Sequence, residues 1–220
     1  MRPCATTRES ELSPAELDCL VGILRAGRLR GTHLEIGTAA GGTLWRIMTS
    51  GPAEIRPRFA VVDPMRYFPN QLDVVRENLR EHGIAPDGVD FRISTSREAL
   101  RAARLRKESF DFMLVDAGHK IRHVTEDLGW GDLLAAGGIL ALHDYSPAEP
   151  GVMLAANRFL RRNPHYHREL HVERLLVLRK TACASRPEVT ASDRLRALVL
   201  TPWLQMRRNL KKRMGTKSAS

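Results

Sequence analysis

Two kinds of periodicity alternate along the chain. Short apolar runs around Leu34 and Ile36, around Val61 and Val62, and over 110–116 and 138–143 place hydrophobic residues at successive positions, the pattern of strands buried on both faces of a parallel sheet. A further strand is predicted over 90–94. Between the runs, apolar residues recur every three or four positions, which predicts helices over 70–82, 97–106, 121–135 and 152–161. Strand and helix take turns, and that order implies a parallel sheet joined by right-handed crossovers. Ahead of it, Ser13-Pro14-Ala15-Glu16 reads as a helix start with a capping serine and a first-turn proline, followed by apolar Leu17, Leu20, Val21 and Leu24. Near the end the rhythm changes. The runs over 166–172 and 174–179 leave no room for a crossover helix, so they pair as an antiparallel hairpin. The fold class is therefore α/β, a doubly wound Rossmann-like sheet of seven strands, mostly parallel, with a C-terminal antiparallel hairpin.

Chemistry enters at the strand ends. In HLEIGTAAGGTLW (33–45) a buried strand delivers Glu35 and Gly37 to the carboxyl edge of the sheet, and Gly37 and Gly41 let the backbone bend sharply and approach a ligand closely. The next helix is expected to begin at Thr43, capped by its hydroxyl, with Leu44, Ile47 and Met48 on its apolar face. The following strand, RFAVVDP, ends in Asp63, the position at which doubly wound folds hold the acid that takes ribose hydroxyls. A carboxylate there accepts two hydrogen bonds from a vicinal diol; the competing reading is a helix cap before Pro64. Together the two motifs make a nucleotide-binding edge.

The run LEIGTAAGGT, then VVDP, FDFMLVDAGH and LLAAGGILALHDY, resembles the class I S-adenosylmethionine-dependent O-methyltransferases, closest to the sugar- and antibiotic-tailoring branch, methyltransferase 24-like and related to catechol O-methyltransferase. The matching residues are Asp116-Ala-Gly-His119, Asp127-Leu128, Gly137-Gly138 and His143-Asp144-Tyr145, and the likeness spans roughly 34–180. Two positions depart from the pattern. Ala39 replaces a glycine, where small size suffices, and His143 replaces an acid.

The resemblance implies a role for each position. Glu35, Gly37, Thr38 and Gly41 shape the pocket for the methionine end of S-adenosyl-L-methionine, Asp63 takes the ribose, and Ser96 matches the adenine contact, unless it only caps the next helix. Asp116 faces the sulfonium. His119 stands where relatives carry the base that takes a proton from the acceptor hydroxyl, the alternative being an ordinary loop histidine. Asp116, His143 and Asp144 occupy the corner where relatives hold Mg2+, although a histidine among the donors weakens a hard-cation site. Without the ion, His143 is left as a second base or a partner of Asp144. Tyr145 would line the acceptor pocket.

Composition narrows the setting. With 220 residues, 43% of them hydrophobic, the chain can bury one sizeable core. Three widely spaced cysteines without ligand spacing point to a reducing, cytoplasmic location. The net charge of +10 is uneven: 181–220 holds nine Lys or Arg against two acids, leaving +3 for 1–180. The organisation read from this is a methyltransferase domain over 1–180, with 1–30 as a helical cap, and a basic amphipathic tail over 181–220. After a linker over 182–190, helix starts appear at Ser192-Asp193 and Thr201-Pro202. Leu195, Val199, Trp203, Met206 and Leu210 share one face, and Arg207, Arg208, Lys211 and Lys212 lie mostly off it, a pattern suited to an anionic membrane face or to a protein surface.

The expected partner is a small-molecule or glycan acceptor, with peripheral membrane contact through the tail or a homo-oligomer as further expectations. A nucleic-acid methyltransferase is the runner-up. Against it, the charge sits in the tail, aromatics are only 5%, and no Asn/Asp-Pro-Pro-aromatic signature follows the fourth strand, so no nucleic acid is expected. A non-catalytic cofactor-binding module is the third reading.

Overall fold

A computed structural model describes residues 9–26 and 29–215. Helix α1 (Pro14–Arg25) precedes strand β1 (Thr32–Ile36), and the chain continues through α2 (Gly42–Met48), β2 (Phe59–Val62), α3 (Gln71–Glu81), β3 (Val89–Arg92), α4 (Ser96–Leu105), β4 (Phe110–Val115) and α5 (Ile121–Asp127). Strand β5 (Leu134–Leu142), α6 (Pro150–Arg162), the hairpin β6 (Tyr166–Val172) and β7 (Leu175–Lys180), and α7 (Ala191–Gly215) complete it. The seven strands lie in the order β3-β2-β1-β4-β5-β7-β6, parallel through β5, with β7 antiparallel to both neighbours.

Successive strand residues point to opposite faces, and each face has its own core. Leu34, Ile36, Met113, Val115, Leu140 and Leu142 pack under α4, α5 and α6. Phe59, Val61, Phe112, Leu114, Ile139 and Ala141 pack under α1, α2 and α3. Burial on both sides is what made these strands read as continuous apolar runs.

Four boundaries differ from the sequence expectation. Helix α2 starts at Gly42 rather than Thr43, capped by the left-handed backbone of Gly41, and the Thr43 hydroxyl pairs instead with the Ser10 hydroxyl at 2.7 Å. The helix expected over 121–135 stops at Asp127 and tightens into a 3-10 turn, Leu128–Leu133, around the fully buried Trp130. Strand β5 accordingly begins at Leu134, bulged against β4 between Phe110 and Phe112. In the tail, Thr201-Pro202 does not start a second helix. Helix α7 runs through Pro202, with Ala197, Leu200 and Leu204 packed on the core on both sides of it and the Thr201 hydroxyl donating to the Ala197 carbonyl at 2.7 Å. The side chains of Arg207, Arg208, Leu210, Lys211 and Lys212 lie outside the described residues.

Chain direction across the sheet reverses between β1 and β4, which opens the crevice where doubly wound sheets take ligands. No helix among the described residues is long and apolar enough to cross a membrane.

Candidate active site

The crevice is framed by backbone that locks the strand ends together: the Asp116 amide donates to the Ile36 carbonyl at 2.9 Å and the Gly37 amide to Val62 at 3.0 Å. Gly37 has φ +83°, and a Cβ there would collide with the Asp116 carbonyl oxygen, so only glycine fits this turn. One residue earlier, Glu35 is fully buried, and neither carboxylate oxygen has a hydrogen-bond partner. Burial pushes its pKa up to about 8; the nearby Thr38 hydroxyl, which completes no hydrogen bond, pulls it down, while the charges of Asp116 and Asp63 add to the rise. A buried carboxyl left without partners costs stability, and a donor reaching it would recover that cost.

Asp63 stands across the turn. Its carboxylate accepts from the Thr38 amide at 3.0 Å and the Met65 amide at 2.6 Å, one bond per oxygen, which fixes the group and leaves each oxygen a further lone pair. Residues 9–11 roof this end. The backbone of Glu9 and Ser10 lies where a Cβ on Gly42 would stand, and beneath it remains a cavity of about 20 Å³ lined by Glu35, Gly37, Thr38 and Asp116. Ser96 is not the cap of α4. Thr95 is, in a reciprocal capping box with Glu98. The Ser96 hydroxyl accepts from the Trp130 indole at 3.0 Å and holds down the Asp127 carboxyl, which burial pushes up to about 7.

Past the ends of β4 and β5 the structure brings together His119, Asp116, His143 and Asp144, with two residues whose part the sequence did not reveal. The first is Glu16. It caps α1, accepting from the Ser13 amide at 2.8 Å, but the same fully buried carboxylate also takes His143 Nε2 at 3.3 Å and the Arg174 amide at 2.8 Å. The second is Arg174, in the turn between β6 and β7, whose guanidinium donates to Asp144 Oδ1 at 2.8 Å. Only the capping-box spacing hinted at Glu16, and that signal names a helix cap and nothing more.

His143 lies between two acids, with Nδ1 at 3.0 Å from Asp116 and Nε2 at 3.3 Å from Glu16. Burial lowers its pKa, but the Asp116 hydrogen bond and the charges of Asp116, Asp144 and Glu16 outweigh this and leave it raised. Both ring nitrogens face carboxylate oxygens, whose charges favour the protonated form, and this pairing leaves neither nitrogen turned to a substrate.

His119 differs. Nε2 lies 2.7 Å from Asp144 Oδ2 and Nδ1 lies 3.6 Å from Glu149, beyond hydrogen-bond range but within ion-pair range, and the side chain is partly open to solvent. The Asp144 hydrogen bond raises the His119 pKa against the opposing effect of burial. An imidazole held by a carboxylate at one nitrogen, with the other outside hydrogen-bond range of its nearest acid and the side chain partly open to solvent, has the geometry of a general base.

Asp116, His143 and Asp144 bring one ligand atom each within 4.8 Å of one another, but this donor set does not suit magnesium. The ion takes oxygen ligands in octahedral array, and here one of three donors is an imidazole with both nitrogens engaged. Both Asp144 oxygens are already engaged within the chain, Oδ1 by Arg174 and Oδ2 by His119. The corner expected to hold magnesium is taken up by contacts within the chain.

Comparison with known proteins agrees with the fold. A family model described as a methyltransferase domain, methyltransferase 24, matches residues 34–145. Among solved structures, the chain is similar to an O-methyltransferase from Bacillus cereus in complex with S-adenosylhomocysteine, at 17% identity and TM-score 0.61 over 76% of this chain and 81% of that one. It is likewise similar to TomG of Streptomyces achromogenes, an O-methyltransferase of tomaymycin synthesis solved with S-adenosylmethionine, at 17% identity and TM-score 0.59 over 78% and 82%. A third is CalS11, described as a TDP-rhamnose 3'-O-methyltransferase, at 18% identity and TM-score 0.59 over 74% and 76%. Sequence comparison with curated proteins finds no significant match. The strand order, the switch-point crevice and the matched segment together show that the chain belongs to the methyltransferase 24 domain family and is a class I S-adenosylmethionine-dependent methyltransferase.

Proposed function

We propose that the protein transfers a methyl group from S-adenosyl-L-methionine to a hydroxyl of a sugar, glycolipid or other secondary metabolite. The observation that carries the reading is Glu35, a carboxyl fully buried at the switch point with no partner of its own. An aminoacyl ammonium group in the crevice supplies the missing charge and donors. Asp63 accepts the ribose hydroxyls with its spare lone pairs. Thr38 and Gly37 lie against the methionine end, and Asp116 faces the sulfonium. Binding displaces the roof formed by residues 9–11, because the cavity beneath it is far smaller than such a ligand.

When bound, the cofactor supplies an activated methyl group on a positive leaving group, so positioning of the acceptor oxygen accounts for much of the rate. The chain's own part is proton removal. His119 takes the hydroxyl proton at Nδ1, while Asp144 holds Nε2–H and stabilises the imidazolium that forms. His143, held between Glu16 and Asp116, keeps the Asp116 carboxylate oriented. TomG, involved in tomaymycin synthesis, and CalS11, described as a TDP-rhamnose 3'-O-methyltransferase, favour secondary-metabolite and sugar hydroxyls as the acceptor class. The test is turnover with labelled cofactor against a panel of such acceptors. His119→Ala should lower the rate by about 10²-fold or more while leaving cofactor affinity unchanged. Equal loss of both would make His119 part of the pocket wall, and transfer to RNA would favour the nucleic-acid reading.

A further inference from the structure

Residues 193–206 of α7 divide into two faces. Asp193 turns inward to Arg158, and Ala197, Leu200 and Leu204 join the core on the α4–α6 side of the sheet. At 3.6 residues per turn, Leu195, Leu198, Val199, Trp203 and Met206 fall on the opposite side. They are exposed there, from 45% at Trp203 to 67% at Val199. A contiguous apolar stripe of this kind is uncommon on a soluble surface unless something covers it. Positions 194 and 196, both arginine, fall on its two edges.

The charge around the stripe says what covers it. Arg194 also faces a cleft of about 420 Å³ beside α4, which Arg97, Arg101, Arg104 and Leu105 line, with Glu126 its single acid. Arg104 pairs with Asp132, but Arg97, Arg101 and Arg194 make no ion pair among the described residues. Six further Lys or Arg and no acid follow between 207 and 220. A second copy of the chain packed stripe to stripe would bring like charges at Arg194 and Arg196 together, which opposes a symmetric dimer. An RNA would find one aromatic ring among aliphatic side chains, a poor stacking surface.

We infer that the exposed face of α7, with the arginine cleft beside it, docks on an anionic lipid bilayer: the apolar stripe enters the headgroup boundary and the arginines take lipid phosphates. The inference holds whatever the acceptor is. The full chain binds vesicles of mixed phosphatidylcholine and phosphatidylglycerol in a sedimentation assay, binds pure phosphatidylcholine far less, and weakens with salt. Trp203 emission shifts to the blue on binding, whereas Trp130 is buried and Trp45 is stacked on His82, so neither contributes. The double variant L195D/V199D loses vesicle affinity by at least about tenfold at unchanged thermal midpoint, because both side chains are already exposed. R97E/R101E lowers affinity and flattens the salt dependence. Absence of vesicle binding at low salt, or equal binding by L195D/V199D, overturns the inference. A dimer seen by light scattering that L195D/V199D dissociates, with no vesicle binding, assigns the face to a second copy and overturns it too. S-adenosylhomocysteine affinity measured on the same samples tests the enzymatic reading separately.

Discussion

Glu35→Gln removes a charge that the unliganded fold does not accommodate, so it should stabilise the free protein and weaken the liganded one. The folded pKa is raised from 4.5 to about 8. A carboxyl with that shift holds its proton more tightly folded than unfolded, so its contribution is intact below the unfolded pKa. Stability is then lost as pH climbs toward the folded value, at about 1.4 kcal/mol per unit. Between roughly pH 5.5 and pH 7.5 the native protein gives up ~3 kcal/mol at this one site. Glutamine has nearly the same shape and no such loss. Urea unfolding of both proteins at the two pH values, without cofactor, should show the variant's advantage growing by about 2–3 kcal/mol across the interval. Excess S-adenosylhomocysteine should reverse the order, because ligand stabilises in proportion to the logarithm of its affinity and the native carboxylate binds the ammonium. A difference that does not change with pH would mean that Glu35 is ionised and solvated, and equal ligand stabilisation of both proteins would remove its binding role.

Three further outcomes follow from the acceptor side and the roof. His119 acts unprotonated, so kcat/KM should rise with pH through its elevated pKa and then level. In Asp144→Asn the main cause of that elevation is gone, and the limb should move to lower pH with a reduced plateau; a limb that stays in place refutes the His119 assignment. Chelation followed by dialysis should leave turnover intact, since Arg174 and His119 already occupy Asp144; activity lost and restored by magnesium would show that the ion displaces them. Gly42→Ala should push residues 9–11 off the crevice and speed cofactor association several-fold in stopped-flow mixing, whereas an unchanged rate would place the roof off the binding path.

Much of this was legible in the sequence because its signals are local. Strands buried on both faces read as apolar runs, and Leu34–Ile36, Val61–Val62 and the 110–115 run appear where expected. Gly37, Asp63, Asp116 and His119 follow strand ends directly, so the topology alone brings them together. Local signals misled where tertiary packing overrode them. Pro202 looked like a helix start, yet packing of Leu200 and Leu204 carries α7 through it. The 121–135 periodicity looked continuous, but burying Trp130 tightens the chain after Asp127. Glu16 was hidden for a different reason. Its partners are 127 and 158 residues away, and no spacing rule reaches that far. The same long-range pairing engages His143 Nε2 with Glu16, a contact no local signal announces.

The most direct test is calorimetric titration of the native protein and Asp63→Ala with S-adenosylhomocysteine. The native protein should bind, and the variant should bind more weakly by roughly 1.5–3 kcal/mol, the range for hydrogen bonds to a charged group. Undiminished affinity in Asp63→Ala would contradict the ribose assignment, and no binding by the native protein would contradict the account as a whole.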